Sequence, residues 1–322
     1  MSEPFPYPYT NNNAFFDPEI SINSGQMFLW EKYDNSWYGI YGEYVLKLSN
    51  STSDWLTRKS GTAIDNNNCG MRFLSFPRFP LWERQVFRLD DDLCKIFSSF
   101  PKDILVSKSL SRYPGLRLMR QEFDQCMISF VCASNTNISM IRRMLNNLCR
   151  KFGNKVIVDG KQFFTFPSAA RLNRATDEEL RLCGLGYRTK AVKAVAESIV
   201  NGSLDRRSLL RLPYEDAKHE LLKVYGIGNK VADCILLFSL DKLDAFPIDV
   251  WIARVLCQNY NWLLKNDEEN FSIRDKTIAG EKITAREYKI ISKNVRNYFG
   301  NYCGYAQQYL YYNVRQSAGK KW

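Results

Sequence analysis

The stretch that decides the fold is Leu221-Leu222-Lys223-Val224-Tyr225-Gly226-Ile227-Gly228-Asn229-Lys230-Val231-Ala232-Asp233. An apolar helical segment runs into a Gly-Ile-Gly turn and a second helical segment begins at once. Glycine has no Cβ, so two of them around one aliphatic residue permit a tight hairpin whose backbone N–H groups stay uncovered. The following helix adds the positive end of its dipole. Such a set of donors suits a phosphate group. On both sides the apolar residues keep a helical period, and amphipathic helices are expected at 122–134, 138–152, 187–200, 215–225, 229–241, 248–258, 284–299 and 303–314.

The N-terminal part reads differently. Between Ser21 and Phe76, runs such as Gln26-Met27-Phe28-Leu29-Trp30 and Tyr44-Val45-Leu46-Lys47-Leu48 are rich in aromatic and β-branched residues. Asp34-Asn35-Ser36 and Asn66-Asn67-Asn68-Cys69-Gly70 are turn formers between them, which makes an antiparallel meander the economical reading. After Arg84 the periodicity changes, and from about Gln121 the chain is expected to be helical throughout. The expected class is α+β: an irregular arm over 1–18 rich in Pro, Asn and aromatics, an antiparallel β domain over 19–118, and a helical region over 119–322 with its hairpin at about 215–241.

With 322 residues and 45% hydrophobic content the chain has enough apolar material for an extended core. The net charge of +11 is unevenly spread: residues 1–100 carry 9 Lys and Arg against 12 Asp and Glu, which leaves 36 against 22 for the remainder. A basic region beside a roughly neutral one is the electrostatic footprint of a polyanion binder. No stretch approaches the roughly 20 apolar residues that span a membrane, and Met1–Thr10 lacks the character of a signal peptide, so an intracellular location (nucleoid, cytoplasm or nucleus) is expected. The nine cysteines contain no Cys-x-x-Cys pair, which argues against a disulfide framework or a zinc ribbon. The single histidine, His219, argues against polyhistidine metal sites and is expected on a helix surface.

The pattern Leu-x4-Gly-Ile-Gly-x-Lys-Val-Ala resembles helix-hairpin-helix DNA-binding elements, with Gly226 and Gly228 at the phosphate-binding turn. Asp244-Ala245-Phe246-Pro247-Ile248-Asp249-Val250-Trp251 follows, and it resembles the Pro-Val-Asp signature of the helix-hairpin-helix glycosylases. Lys230 and Asp249 then match that superfamily's catalytic pair, each opening a helix. The resemblance implies a lysine amine that attacks the sugar C1′, displaces the base and forms a Schiff base opened by β-elimination. A free lysine amine is protonated at neutral pH, so such chemistry asks for burial or a helix N-terminal field to release the proton. The aspartate stabilises the oxocarbenium-like charge that develops at the sugar. Read without the resemblance, the same two residues are a phosphate-binding lysine and a helix N-cap.

From about Pro18 to Gln316 the chain resembles the eukaryote-type 8-oxoguanine glycosylases, which implies that the N-terminal β domain contributes to the base pocket. Ser24-Gly25-Gln26-Met27-Phe28-Leu29-Trp30 is similar to the family motif whose glycine carbonyl accepts N7–H of the oxidised base. Guanine itself has a bare acceptor there, so Gly25 would discriminate the lesion. Cys234, one turn after Lys230, and Tyr311 match the residues on the two faces of the extruded base, and Gln307 matches the base-edge glutamine. Flipping a base leaves a gap in the duplex. Cys132-Ala133-Ser134-Asn135 and Gly184-Leu185-Gly186-Tyr187-Arg188 resemble the loops that fill it, with Asn135 entering the gap, Tyr187 wedging and Arg188 reading the opposite cytosine.

Three departures stand out. Met140 occupies the place of the family's second cytosine-reading arginine, which predicts a relaxed opposite-base preference. Tyr311 replaces a phenylalanine, and Trp251 stands where a histidine is common. The expected activity is that of a bifunctional DNA glycosylase and apurinic-site lyase acting as a monomer on double-stranded DNA containing oxidised guanine. No metal or other cofactor is required and no membrane is involved, although hairpin carbonyls in the family can hold a monovalent cation. An iron–sulfur cluster is not expected, since after Asp249 only Cys257 and Cys303 remain. The alternatives are a helix-hairpin-helix DNA-binding protein without catalysis, or a glycosylase for another damaged base.

Overall fold

The computed structural model describes residues 16–50, 71–264 and 283–319. The arm expected over 1–18 and the turn at Asn66–Gly70 therefore lie almost entirely outside the described residues. A short helix α1 (Pro18–Ile22), N-capped by Asp17, leads into a four-stranded antiparallel meander. Its strands are β1 (Trp30–Tyr33), β2 (Ser36–Tyr41), β3 (Tyr44–Asn50) and β4 (Met71–Phe76). The register pairs Tyr33 with Ser36 across the first turn and Tyr41 with Tyr44 across the second. One face of the sheet closes over Trp30, Leu46, Leu48, Trp82 and Phe87, a small aromatic cluster of its own.

The sheet is shorter than the unit that carries it. Three helices fill the rest of the N-terminal region: α2 (Trp82–Val86), α3 (Leu93–Ser98) and α4 (Ile104–Arg112). Leu93, Phe97, Val106 and Leu110 belong to the main core together with the helices downstream, so the two parts share one apolar interior.

That interior is built around α5 (Phe123–Cys132), every residue of which is buried except Asp124. Against it pack α9 (Thr189–Val200) and α12 (Asn229–Ser239). Helix α6 (Ile138–Phe152) shows the amphipathic pattern plainly: Ile141, Met144, Leu145, Leu148 and Phe152 are buried while Arg150 and Lys151 face outward. The remaining helices are α7 (Ala169–Arg174), α8 (Asp177–Leu182), α10 (Arg206–Arg211), α11 (Tyr214–Leu222), α13 (Val250–Asn259), α14 (Ala285–Phe299) and α15 (Cys303–Ser317). The last of these packs between α4 and α13.

Successive helices joined by turns, and no strands, were expected from about Gln121 onward, and here the structure differs. A two-stranded hairpin, β5 (Lys155–Val158) with β6 (Lys161–Phe164), follows α6. Asp159 and Gly160 take the turn with φ of 50° and 72°, the positive-φ pair that a two-residue hairpin turn requires. Phe163 then stacks on Tyr38 of the meander, with ring centroids 5.0 Å apart.

Candidate active site

The Gly-Ile-Gly turn joins α11 to α12. Gly226 has a φ of 91° and its α-carbon abuts α9, whereas Gly228 faces open space and caps α12 with extended backbone. No side chain caps the first turn of α12, so its leading N–H groups remain uncovered. Lys230, the second residue of that helix, is half-buried, with Nζ 5.2 Å from the centroid of the Phe130 ring of α5. Phe130 is itself held between Phe238, stacked at 5.5 Å, and Phe28 at 5.8 Å.

Asp249 opens α13, and its Oδ1 accepts the N–H groups of Trp251 at 3.0 Å and Ile252 at 2.9 Å. The N-cap reading of this residue is thus correct as far as it goes. Burial pushes its carboxyl above the ordinary carboxylate value, against the pull of the Ile252 N–H and of Lys230. Cys234, one turn beyond Lys230, is fully enclosed. Burial pushes its thiol up to about 11, while Lys230 acts to lower it both by charge and by a side-chain hydrogen bond. Burial also raises Tyr311, and the Asp249 carboxylate adds to the shift while Arg315 opposes it. Asp249 is therefore within electrostatic reach of Lys230 and Cys234 of α12 and of Tyr311 of α15.

Gln307 approaches from α15. Its Nε2 donates to the Pro247 carbonyl at 3.1 Å, and its Oε1 is buried without a hydrogen-bond partner. The next residue, Gln308, donates Nε2 to the Ser24 carbonyl at 2.9 Å. Gly25, with a φ of 81°, is half-buried beside that carbonyl. Its other neighbour is anchored as well: the Gln26 carbonyl accepts from Gln121 Nε2 at 2.5 Å, and the Gln121 N–H donates to Phe238 O at 2.7 Å. The loop between α1 and β1 is thereby fixed to the helix that carries Lys230.

Asn135, Tyr187 and Arg188 gather at a second location. The Ser134 carbonyl accepts from Tyr187 Oη at 3.1 Å and from the Arg188 guanidinium, which also reaches Asn135 O at 3.3 Å. The guanidinium lies 4.4 Å from the Tyr187 ring centroid. Tyr187 is 63% exposed, and Asn135 is exposed with a φ of 50°. Met140, in the first turn of α6 beyond the Asn137 cap, is exposed close by in sequence.

Two residues, one near Asp249 and one against Lys230, escaped the sequence reading. Arg315 lies 5.4 Å from the Trp251 ring centroid and 5.8 Å from that of Tyr311. Its spacing of four from Tyr311 on one helix was a usable signal. Phe130 carried none, since it is one apolar residue of a helix buried over almost its whole length. His219 is exposed beside Glu220. Among the described residues, no three His, Cys, Asp or Glu side chains are arranged to hold a metal ion, and no helix is long and apolar enough to cross a membrane.

A helix-hairpin-helix followed by a lysine at the head of one helix and an aspartate capping the next defines a DNA-glycosylase architecture. Residues 8–127 match the family model of the 8-oxoguanine DNA glycosylase N-terminal domain, and residues 128–274 match that of the HhH-GPD superfamily base excision DNA repair proteins. A Saccharomyces cerevisiae N-glycosylase/DNA lyase is 34% identical over 70% of this chain, which spans 64% of the yeast protein's length. A probable N-glycosylase/DNA lyase of Methanothermobacter thermautotrophicus is 30% identical over 76% of this chain and 78% of its own. The solved Clostridium acetobutylicum 8-oxoguanine glycosylase/lyase, in complex with double-stranded DNA containing cytosine opposite 8-oxoguanine, superposes with a TM-score of 0.74. It shares 27% identity over 95% of this chain and 93% of that one. The chain belongs to the HhH-GPD superfamily of base excision DNA repair proteins, in its 8-oxoguanine DNA glycosylase branch.

Proposed function

We propose that this chain is a bifunctional DNA glycosylase and lyase that extrudes 8-oxoguanine from duplex DNA, releases it, and cleaves the strand through a Schiff base on Lys230. The observation that carries the reading is the placement of Lys230 at the uncapped head of α12 and of the buried Asp249 at the N-cap of α13, within electrostatic reach of that lysine. Lys230 Nζ, once neutral, forms a bond to C1′ as the C1′–N9 bond breaks and the base departs with the electron pair. The Asp249 carboxylate sits where positive charge develops at the sugar. Opening of the ring gives the Schiff base, and loss of a C2′ proton expels the 3′-phosphate.

Recognition of the base is divided between the two parts of the chain. The N-terminal unit, to about residue 118, supplies the Gly25 carbonyl as acceptor for N7–H of the oxidised base. The helical unit supplies Cys234 and Tyr311 to its faces and Gln307 to its edge. A buried acceptor without a partner, as at Gln307 Oε1, costs about 1–3 kcal/mol, and a base edge donating into the pocket would remove that cost. Asn135, Tyr187 and Arg188 fill the gap, and the anchor that Tyr187 and Arg188 share on Ser134 O, with the Arg188 bond to Asn135 O, makes them a single inserting unit. The uncovered N–H groups after Gly228 take a backbone phosphate. Carbonyls of the hairpin around Gly226 and Gly228 would hold a monovalent cation in the same reading, where it would offset phosphate charge and take part in no chemical step, and a monomeric enzyme belongs to that reading too.

The test is strand scission of a duplex with one 8-oxoguanine opposite cytosine, alongside the same duplex with guanine. Cleavage confined to the lesion duplex supports the reading. Binding to both duplexes with release from neither leaves a DNA-binding protein without catalysis.

A further inference from the structure

Beneath the reacting group lies a buried polar network. Asp233, three residues after Lys230 on α12, is fully enclosed, and its carboxylate accepts from three donors. These are Tyr214 Oη at 2.7 Å, Tyr288 Oη at 2.7 Å and Lys218 Nζ at 2.9 Å. Burial pushes the Asp233 carboxyl up, while Lys218 and both tyrosines hold it down. Tyr214 Oη also contacts Ser292 Oγ at 3.3 Å, whereas the Tyr288 hydroxyl reaches the turn before Asp249, where it accepts the Ile248 N–H at 3.1 Å. Ile248 immediately precedes Asp249. The neighbouring Pro247 O is bound by Gln307.

We infer that Tyr288 is the positioning residue that sets the Asp249 turn against the Lys230 helix, through the chain Asp233 carboxylate, Tyr288 hydroxyl, Ile248 N–H. The inference rests on the assignment of Lys230 and Asp249 as the reacting pair. Chemistry between groups held by separate elements falls steeply when one is misplaced, by about 100-fold for a shift of about 1 Å. Tyr214 provides the control, because it binds the same carboxylate without touching the turn.

The experiment compares Tyr288→Phe, Tyr214→Phe and Lys230→Gln in single-turnover base release from the 8-oxoguanine duplex, with duplex affinity and melting temperature measured for each. Tyr288→Phe is expected to slow release about tenfold at unchanged duplex affinity, while Tyr214→Phe, with a comparable fall in melting temperature, stays within about twofold. Equal slowing by the two tyrosine variants overturns the assignment and leaves a structural network. Wild-type release by Lys230→Gln overturns the reading of the pair, and this inference with it. Amide exchange in the unaltered protein gives a reading free of any variant: protection of Ile248 N–H comparable to that of α12 is expected, and rapid exchange contradicts the link.

Discussion

A Cβ placed on Gly226 would lie 2.2 Å from the Cβ of Ala191 on α9. The hairpin is therefore seated against the helical core at its first glycine, and its second, Gly228, meets nothing within 4 Å. The two glycines of one motif consequently answer to different demands. Gly226→Ala must adopt a left-handed conformation, which costs about 1–2 kcal/mol, and must also push α9 away. Urea unfolding is expected to show a loss of about 2 kcal/mol or more. Gly228→Ala is expected to unfold within about 0.5 kcal/mol of wild type while binding duplex DNA several-fold more weakly, because its methyl group fills the space a phosphate approaches. Equal stability of the two variants would contradict this division.

Asp249 gives a pH dependence whose direction follows from its burial. The carboxylate is the required form, and its folded value lies above the ordinary one. Base release therefore declines as the pH falls through that raised value, so the acid limb lies at higher pH than an exposed aspartate would give. The same shift means that ionising Asp249 opposes folding as the pH rises through its folded value. Asp249→Asn keeps an N-cap acceptor and removes that opposition, so it is expected to melt no lower than wild type at neutral pH. Its base release falls by about 100-fold or more and loses the acid limb. Rate against pH for both proteins checks this, and an acid limb retained in Asp249→Asn would refute it.

Gln307 is bonded to the turn before Asp249 through Pro247 O, and under the proposed function it also meets the base edge. Gln307→Ala is expected to lower kcat/KM for 8-oxoguanine release by about 1–3 kcal/mol, or roughly 5- to 150-fold, with duplex affinity little changed. A variant that released the base at the wild-type rate would show that the pocket does not use this side chain.

Under the proposed function Met140 bears on the opposite strand. With Arg188 as the sole carried-over reader of the opposing base, cytosine and adenine opposite the lesion are expected to support similar cleavage. Met140→Arg adds a donor at an exposed position in the first turn of α6, and it is expected to raise the preference for cytosine by about 1–3 kcal/mol. Paired rates on the two duplexes test both statements, and a strong cytosine preference in the unaltered protein would contradict them.

The helices around the hairpin were legible because their apolar residues repeat at helical spacing and their ends carry Gly, Asn or Asp. Helix α6 was expected over 138–152 and is found there, and α12 ends two residues short of the expectation. The β5–β6 hairpin was not read, although Asp159-Gly160 is a strong two-residue turn signal. Its flanking strands have four residues each, too few for alternation to stand out from the helical period on either side. Lys230 and Asp249 were legible because motif and helix start coincide. Tyr288 and Phe130 were not, since their importance arises from elements brought together over long sequence separations. Tyr288 meets Asp233 across 55 residues, and no local pattern encodes that meeting.

The central claim, a covalent intermediate on Lys230, is tested most directly by borohydride reduction of the protein with a duplex carrying one 8-oxoguanine opposite cytosine. The account predicts a protein–DNA adduct with the unaltered enzyme and none with Lys230→Gln, the variant still binding the duplex. An adduct of equal yield in Lys230→Gln, or base release by the unaltered enzyme with no adduct at all, would contradict it.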